Sequence, residues 1–339
     1  MIVCTFEDRP TDIIGLQLLV CSLAQHMPRV PIHVVCPVAT PEFRAWLARF
    51  PQATLDEDQA GRGMGWDIKP HLLKRMLEAG HDHVVWMDSD IVVTRDFSDL
   101  LDDAQSLVLT EEYHVRRYGI VQRVTGWGLE YGRDIPGLNT GMVSVRPVHR
   151  PLLERWIALM AKPDYQAARK LPLELREPHL LGDQDVLVGL LASREFSGMK
   201  LSVLRRGEKI IQHYGPAGYP PSERLRHLIT GMPPLIHSQG HKPWRFADVP
   251  SLWADTKKYF VFLYLELSPY AHFARRHQHE IPDFPRCFAI RSSLGRLSNA
   301  LSFGQPSLRG FGHAAAASVA DSLAAAAQRA KRMLGRLTT

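Results

Sequence analysis

The sequence predicts an α/β fold: a mixed, mainly parallel sheet flanked by helices, followed by a helical C-terminal extension. Three observations carry this. Short Val- and Ile-rich runs alternate with longer stretches of helical period over the N-terminal part of the chain. One run, "VVWMDSDIVV" at 84–93, is apolar on both sides of two aspartates, which is the pattern of a buried strand. The composition, 45% hydrophobic and 22% charged over 339 residues, is that of a soluble globular chain long enough for a substantial core.

The elements follow in order. "IVCTF" is a first strand starting at the initiator methionine. "IIGLQLLVCSLAQHMP" is a helix, with Leu16, Leu19, Val20 and Leu23 at helical spacing. "PIHVVC" is the next strand. "ATPEFRAWLARF" is a helix with Thr40 as N-cap, Pro41 just inside and Glu42 in the first turn. "PHLLKRMLEAG" places Leu72, Leu73, Met76 and Leu77 on one face and stops at Gly80. The aspartate-bearing strand comes next. Alternation of this kind gives βαβ units, whose ligands bind at the carboxyl ends of the strands. Asp88 and Asp90 lie at such an end, as do Thr5 and Glu7 after strand one.

Further along, "SLVLT" and "NTGMVSV" read as strands, with "TGWGLEYG" a loop between them. "PLLERWIALM" and "LLGDQDVLVGLLASR" read as helices, the second with Val186, Leu187, Leu190 and Leu191 on one face. "PLIHSQGHKPW" ends a short apolar run in a loop, and "KKYFVFLYLELSPYAHFARR" is helical up to Pro269. The Ser- and Gly-rich stretch after Pro285 reads as linker. The organisation expected is a catalytic domain over 1–250, a helical extension over 251–290, and a linker with a basic, Ala-rich amphipathic helix over 291–339. No internal repeat is present.

The bulk properties exclude several classes. No eighteen-residue apolar window predicts a transmembrane helix, and the N-terminus lacks the pattern of a secretory signal. The four cysteines, at 4, 21, 36 and 287, form no C-x-x-C pair and read as buried thiols in a reducing compartment. The formal charge is +6, but from Ala271 onward ten Arg and Lys stand against three acids. This basic excess lies in a tail rather than a groove interleaved with aromatics, so nucleic acid is not an expected partner. A cytoplasmic location is expected.

The chemistry starts from Asp88 and Asp90. The two carboxylates lie at the strand's end, where the chain turns and both can approach one ion, one directly and one across the bend. Hard oxygen ligands suit Mn2+ or Mg2+. A solvated turn explains a bare D-x-D equally well. Other motifs accompany it: Asn139 and Thr140 in "GLNTGMVSV", Asp183, Gln184 and Asp185 in "LLGDQDVL", and His237, Gly240 and Lys242 in "LIHSQGHKPW". Asp183 also reads as an N-cap. Lys69 precedes Pro70, which favours an extended residue at 69 and a helix beginning after it. A lysine near a helix N-terminus opposes the macrodipole, so an anion nearby is one reading and a solvated side chain the other.

The ordered set of strand–DSD, NTG, DQD and H-x-x-G-x-K-P-W resembles the retaining GT-A glycosyltransferases of family 8, which include glycogenin and bacterial lipopolysaccharide galactosyl- and glucosyltransferases. The resemblance covers roughly residues 1–250. It implies a Rossmann-like GT-A fold, a UDP-sugar donor and a Mn2+ (or Mg2+) ion held by Asp88, Asp90 and His237. It implies that Gly240 and Lys242 approach the diphosphate, that Lys69 contacts the donor, and that Thr5 and Glu7 lie where the uracil base is held. Ser89 and Thr140 complete the donor contacts. Asn139, Asp183 and Gln184 would meet the sugar, with Gln184 beneath the anomeric carbon. The acceptor implied is a saccharide or glycolipid.

The chain departs from the family pattern in three places. "CTFED" replaces the usual "A-A-D" stretch, the histidine loop is one residue short between Gly240 and Lys242, and "GLNTG" carries threonine where many members have a smaller residue. Two other classes stay in view: a catalytically silent nucleotide-sugar binder, and a haloacid-dehalogenase-like phosphohydrolase, whose D-x-D normally follows the first strand. The tail stripe of Val319, Leu323, Ala326, Ala330, Leu334 and Leu337, flanked by Arg329, Arg332 and Arg336, has two readings. It is either a loosely attached helix with a solvated basic face or a peripheral contact with an anionic inner-membrane surface.

Overall fold

The computed structural model describes residues 1–112, 119–212 and 218–319. It divides into two compact units, Met1–Ile210 and Ile211–Thr339, the first ending earlier than the expected boundary at 250. The tail stripe beyond Val319, and with it the membrane reading, lies outside the described residues.

The first unit runs β1 (Ile2–Phe6), α1 (Ile13–His26), β2 (Ile32–Val35), α2 (Pro41–Leu47), β3 (Ala53–Asp56), α3 (Lys69–Glu78), β4 (Val84–Met87) and β5 (Ile91–Val93). It continues β6 (Leu107–Glu111), α4 (Ile120–Thr125), β7 (Leu138–Val145), α5 (Arg150–Met160), α6 (Pro163–Ala168), α7 (Asp183–Ala192) and β8 (Leu201–Leu204). Its seven-stranded sheet has the order β3-β2-β1-β4-β7-β6-β8. The pairs β3–β2, β2–β1, β1–β4 and β6–β8 are parallel. β7 is reversed against both of its neighbours, β4 and β6. The expected mixed, mainly parallel α/β sheet is therefore present.

Every residue of β1, β4 and β7 is buried, because both faces of the central sheet are covered. The alternate residues Ile2, Cys4 and Phe6 join the core formed with α3, α5 and α7. All four cysteines are buried thiols outside any disulfide, as the sequence predicts. Burial pushes the Cys4 thiol up to about 12.

Local chemistry sets the helix ends. Thr40 Oγ1 accepts from the Phe43 amide at 3.2 Å, and Pro41 opens α2. Gly80 takes φ +95° just past α3, a conformation open to glycine without penalty. Lys69 corrects the expectation for a residue before proline: it is helical, at φ −49° and ψ −60°, and is itself the first residue of α3. Its buried ammonium is fixed by carboxylates, and that attraction outweighs the pre-proline bias. Asp183 is likewise not an N-cap. Gly182 takes that position fully extended, and Asp183 is the first helical residue, its carboxylate turned to Thr140 and Lys69.

The packing of α7 on α4 fixes the site residues that α7 carries. A Cβ at Gly189 would lie 2.7 Å from the Arg123 carbonyl oxygen, a backbone atom with no rotamer to change. Gly189→Ala gains helix propensity of roughly 1 kcal/mol but incurs overpacking of about 1–3 kcal/mol. The expected outcome is a lower urea midpoint; an unchanged or raised midpoint contradicts the close packing.

His83, just before β4, is buried with Nε2 2.8 Å from Ser144 Oγ. Burial, with the positive charges of Arg146 and the N-terminus, pushes its pKa from 6.5 down to about 4. The unfolded chain thus takes up the proton first as pH falls. The contribution of neutral His83 is complete above 6.5 and is lost as pH falls from there to about 4. Unfolding titrations are expected to show a loss of about 1–2 kcal/mol in this window once solvent screening is included. In His83→Asn that part of the slope disappears.

In the second unit, β9 (Ile210–Gln212) lies at the boundary, and α8 (Pro221–Thr230), β10 (Leu235–His237), α9 (Thr256–Glu266), α10 (Pro269–Ala274) and α11 (Ser293–Ala300) follow. Pro269 opens α10 rather than ending the helical region, with Ser268 as its cap. Residues 293–300 are helical within the stretch read as linker. Ser292 caps α11 through the Gly295 amide at 2.9 Å, and its own amide donates to buried Glu266 at 2.9 Å. A capped amphipathic turn sequence, not a Gly/Ser tether, is what the serines provide here.

Candidate active site

The site of the first unit forms where the strand order reverses. β1 leads to β2 and β3 on one side, and the next strand, β4, returns on the other side of β1. The crevice outside the carboxyl ends of β1 and β4 is thus a topological switch point, the usual ligand position in an open α/β sheet. After β4 the chain turns, with the Ile91 amide donating to the Asp88 carbonyl at 3.1 Å, and resumes as β5. The turn brings a carboxylate oxygen of Asp88 within 4.8 Å of one from Asp90.

Lys69 is the hub. Its Nζ lies 3.2 Å from Asp88 Oδ1, 3.4 Å from Asp183 Oδ2 and 2.9 Å from Thr140 Oγ1. Thr140 Oγ1 donates in turn to Asp183 Oδ2 at 3.0 Å. Lys69 is only 3% exposed, so the anions it meets in the structure are these two carboxylates. Burial opposes its charge, but Asp183 and Asp88 outweigh that and hold its pKa above the ordinary lysine value. Burial, with the nearby Asp88 charge, raises the Asp183 carboxyl against the pull of Lys69. Trp86 Nε1 donates to the same oxygen, Asp88 Oδ1, at 2.8 Å.

Beside this lies an oriented pair of amides. Asn139 Oδ1 accepts from the Gly141 amide at 2.8 Å, which sets its orientation. Its Nδ2 therefore donates to Glu112 Oε2 at 2.9 Å and to Gln184 Oε1 at 3.0 Å. Gln184 Oε1 also accepts from the Thr140 amide, and Gln184 Nε2 donates to Glu112 Oε2 at 3.1 Å. Each amide end is thus specified by a backbone group or a carboxylate. Trp156 Nε1 donates to the Asp183 carbonyl at 2.9 Å and secures the start of α7 from α5. Asp185 pairs with Arg123 at 2.6 Å. Burial pushes its pKa up to about 6, with Asp183 and Glu112 adding to the rise and Arg123 opposing it.

At the end of β1 the arrangement differs from a simple pair of ligand-facing residues. Thr5 is fully buried, and its Oγ1 has no hydrogen-bond partner among the described residues. Glu7 is 1% exposed and accepts from Ser89 Oγ at 2.6 Å, joining the end of β1 to the aspartate turn. Arg9 also grips Glu7 through a bidentate contact.

The structure thus gathers Lys69, Asp88, Asn139, Thr140, Asp183 and Gln184 into one hydrogen-bonded set, with Asp90, Ser89 and Glu7 adjoining it. Glu112, Trp86, Arg9 and Arg123 were not foreseen. Glu112 had a signal: like Asp88, it is a carboxylate directly after a buried strand. In the second unit, His237 ends β10 and is 2% exposed. Gly240 takes φ +84° in the following loop, where glycine is the favoured residue. Lys242 Nζ donates to the Ser238 carbonyl at 2.6 Å, and Trp244 packs on Tyr270 and Phe288.

A divalent ion suits this donor set. Asp88 and Asp90 each offer a carboxylate oxygen within 4.8 Å of the other, and hard oxygen donors of this kind suit Mg2+ or Mn2+.

No family model matches the sequence, and no curated protein matches it. Among solved structures, the chain is similar to the galactosyltransferase LgtC in complex with donor and acceptor sugar analogues, at 17% identity and a TM-score of 0.49, over 83% of this chain and 100% of that one. It is similar to mouse xyloside xylosyltransferase 1, at 14% identity and a TM-score of 0.46, over 70% of this chain and 97% of that one. It is also similar to a glycosyltransferase involved in glycosylation of the major capsid of PBCV-1, at 10% identity and a TM-score of 0.40, over 71% and 93%.

Proposed function

We propose that the protein is a metal-dependent glycosyltransferase that moves a hexose from a UDP-sugar to a saccharide or glycolipid acceptor with retention of configuration. One observation supports this most: Lys69, Asp88 and Asp183 form a buried charge cluster at the switch point, directly against the oriented Asn139–Gln184–Glu112 set. A site for a sugar diphosphate needs both parts, a place for a cation and its anionic ligand and a row of polar groups for hydroxyls.

In this reading Asp88, Asp90 and His237 hold Mn2+ or Mg2+, with His237 assigned from the motif order. The bound ion supplies charge neutralisation for the departing diphosphate. Lys69 aims Asp88, and Trp86 limits its rotation. Gly240 lets backbone approach the diphosphate, and Lys242 donates to it after leaving the Ser238 carbonyl. Asn139 Oδ1 and the Asp183 carboxylate accept from sugar hydroxyls. The Gln184 carbonyl faces positive charge developing at the anomeric carbon, held there by Asn139 and the Thr140 amide. An amide is a poor nucleophile, so the acceptor enters on the leaving group's own face and the departing phosphate takes its proton. Glu112 positions both amides.

The test is nucleotide release from UDP-glucose, UDP-galactose, their N-acetyl forms and GDP-mannose, with Mn2+ and with chelator. Slow, metal-dependent UDP release from one donor is expected. Tight donor binding with no release in the presence of saccharide acceptors favours the silent binder. Phosphate release from simple phosphomonoesters with no nucleotide-sugar turnover favours the phosphohydrolase.

A further inference from the structure

The second unit carries a cationic cluster that the transferase reading does not use and that stands apart from it. The cluster gathers at the end of α10. His272 lies on that helix, Arg275 and Arg276 follow it directly, and Arg309 arrives from the segment after α11. Two contacts hold the Arg309 segment in place. Buried Arg224 of α8 donates to the Ser307 carbonyl at 3.2 Å and to the Arg309 carbonyl. At Gly310, φ +72°, the chain passes so close to the end of α9 that a Cβ would lie 3.1 Å from Leu267 Cβ, next to the cap of α10. Among the described residues none of these four side chains pairs with a carboxylate. Arg275 Nη1 donates to the Phe288 carbonyl, and its Nη2 is buried without a partner. Arg309 Nε is also buried without a partner. The Arg276 guanidinium lies 4.5 Å from the Phe273 ring centre, with Nη2 3.4 Å from His272 Nε2. Glu266 acts on Arg275, but its oxygens are taken by the Arg291 and Ser292 amides and the Ser292 hydroxyl.

We propose that Arg275, Arg276 and Arg309 form an anion site that takes a phosphate group, carried by a lipid headgroup or free in solution. Basic residues just after a helix meet its last carbonyls, which accounts for Arg275 and Arg276. It does not account for a third arginine brought in from a separate segment against like charge. The cost of that charge is visible in the neighbours. Burial, then Arg309, Arg276 and Arg275, push the His272 pKa down to about 3. Burial and Arg309 lower Arg275 to about 10, and burial and Arg276 lower Arg309. Buried or half-buried cations are costly unless an anion meets them. A tetrahedral phosphate has the charge and the oxygens to accept from several guanidinium forks at once. A carboxylate brings one charge and two oxygens, too little for three cations. Phosphate also supplies the acceptors that Arg275 Nη2 and Arg309 Nε lack.

The experiment is calorimetric binding of inorganic phosphate to the full chain and to Arg309→Gln and Arg275→Gln, in buffer with chelator so that no metal-held phosphate contributes. Vesicles of phosphatidylcholine, with and without phosphatidic acid, are the second probe. The unsubstituted protein is expected to bind one phosphate, and each variant to bind it at least about tenfold more weakly, the scale of one lost charge-assisted contact. Phosphate is expected to raise the thermal midpoint of the unsubstituted protein and to leave that of the variants unchanged. Arg309→Gln decides the matter if Arg275→Gln, which also loses the Phe288 carbonyl contact, does not fold. Vesicle binding that needs phosphatidic acid and is lost in the variants assigns the phosphate to a lipid. Phosphate binding without vesicle binding assigns it to a soluble phosphate. Absence of both kinds of binding, or binding that neither substitution weakens, overturns the site.

Discussion

Lys69→Met is expected to lower the unfolding free energy by about 3–5 kcal/mol, the usual cost of removing one partner from a buried ion pair. The methionine fills similar volume, so the loss is electrostatic. Without the ammonium, Asp88 and Asp183 repel one another, and the Thr140 hydroxyl keeps its bond to Asp183. The sign of the pH dependence follows. Burial and Asp88 already raise the Asp183 carboxyl, and loss of Lys69 raises it further. The unfolded chain then ionises first as pH rises, so the variant loses stability toward neutral pH and regains some as pH falls. Urea unfolding at pH 7 and pH 5 should show a smaller deficit at pH 5. Lys69→Met combined with Asp183→Asn should recover part of the loss, because the uncompensated charge is gone. A deficit that is the same at both pH values, and additive in the double variant, would contradict the buried pair.

The second large effect belongs to Asp90. Asp90→Ala is expected to reduce donor turnover by about 10³-fold or more, the scale of a lost metal contribution of several kcal/mol. Asp90 lies in the turn between β4 and β5 rather than inside the sheet, and the fold is expected to persist. Circular dichroism and the thermal midpoint check the second half of that expectation.

Much of the fold was legible because buried strands write themselves as apolar runs. β1, β2, β4 and β7 are all of this kind. β3 was missed because it is a short, half-exposed edge strand with the pattern Ala-Thr-Leu-Asp, which carries neither an apolar run nor a clean alternation. The reversal of β7 was not legible, since residue patterning reports which face is buried and not which way a strand runs. The Ser/Gly-rich stretch after 290 hid α11, whose serines serve as caps and whose helix is only eight residues long.

For the site, the polar residues that break apolar runs were readable one by one. Their mutual wiring was not. Glu112 lies 27 residues from Asn139 and 72 from Gln184, and only the sheet and the α7 terminus bring them together. Lys69 was legible as a lysine in search of an anion, but the anions, Asp88 and Asp183, are far from it along the chain and only the fold brings them to it. Glu7 shows the opposite limit. Its position after β1 was correctly located, yet the residue two places on takes up its carboxylate, and local spacing gave no sign of that.

The central claim is that a metal-bound sugar diphosphate meets the Asp88–Ser89–Asp90 turn. The most direct measurement is UDP release from a UDP-sugar donor by the purified protein and by Asp90→Ala, titrated with Mn2+ and reversed with chelator. The account predicts saturable, Mn2+-dependent release by the unsubstituted protein and near-zero release by the variant at an unchanged thermal midpoint. Equal release by both proteins, or release that chelator does not affect, would contradict it.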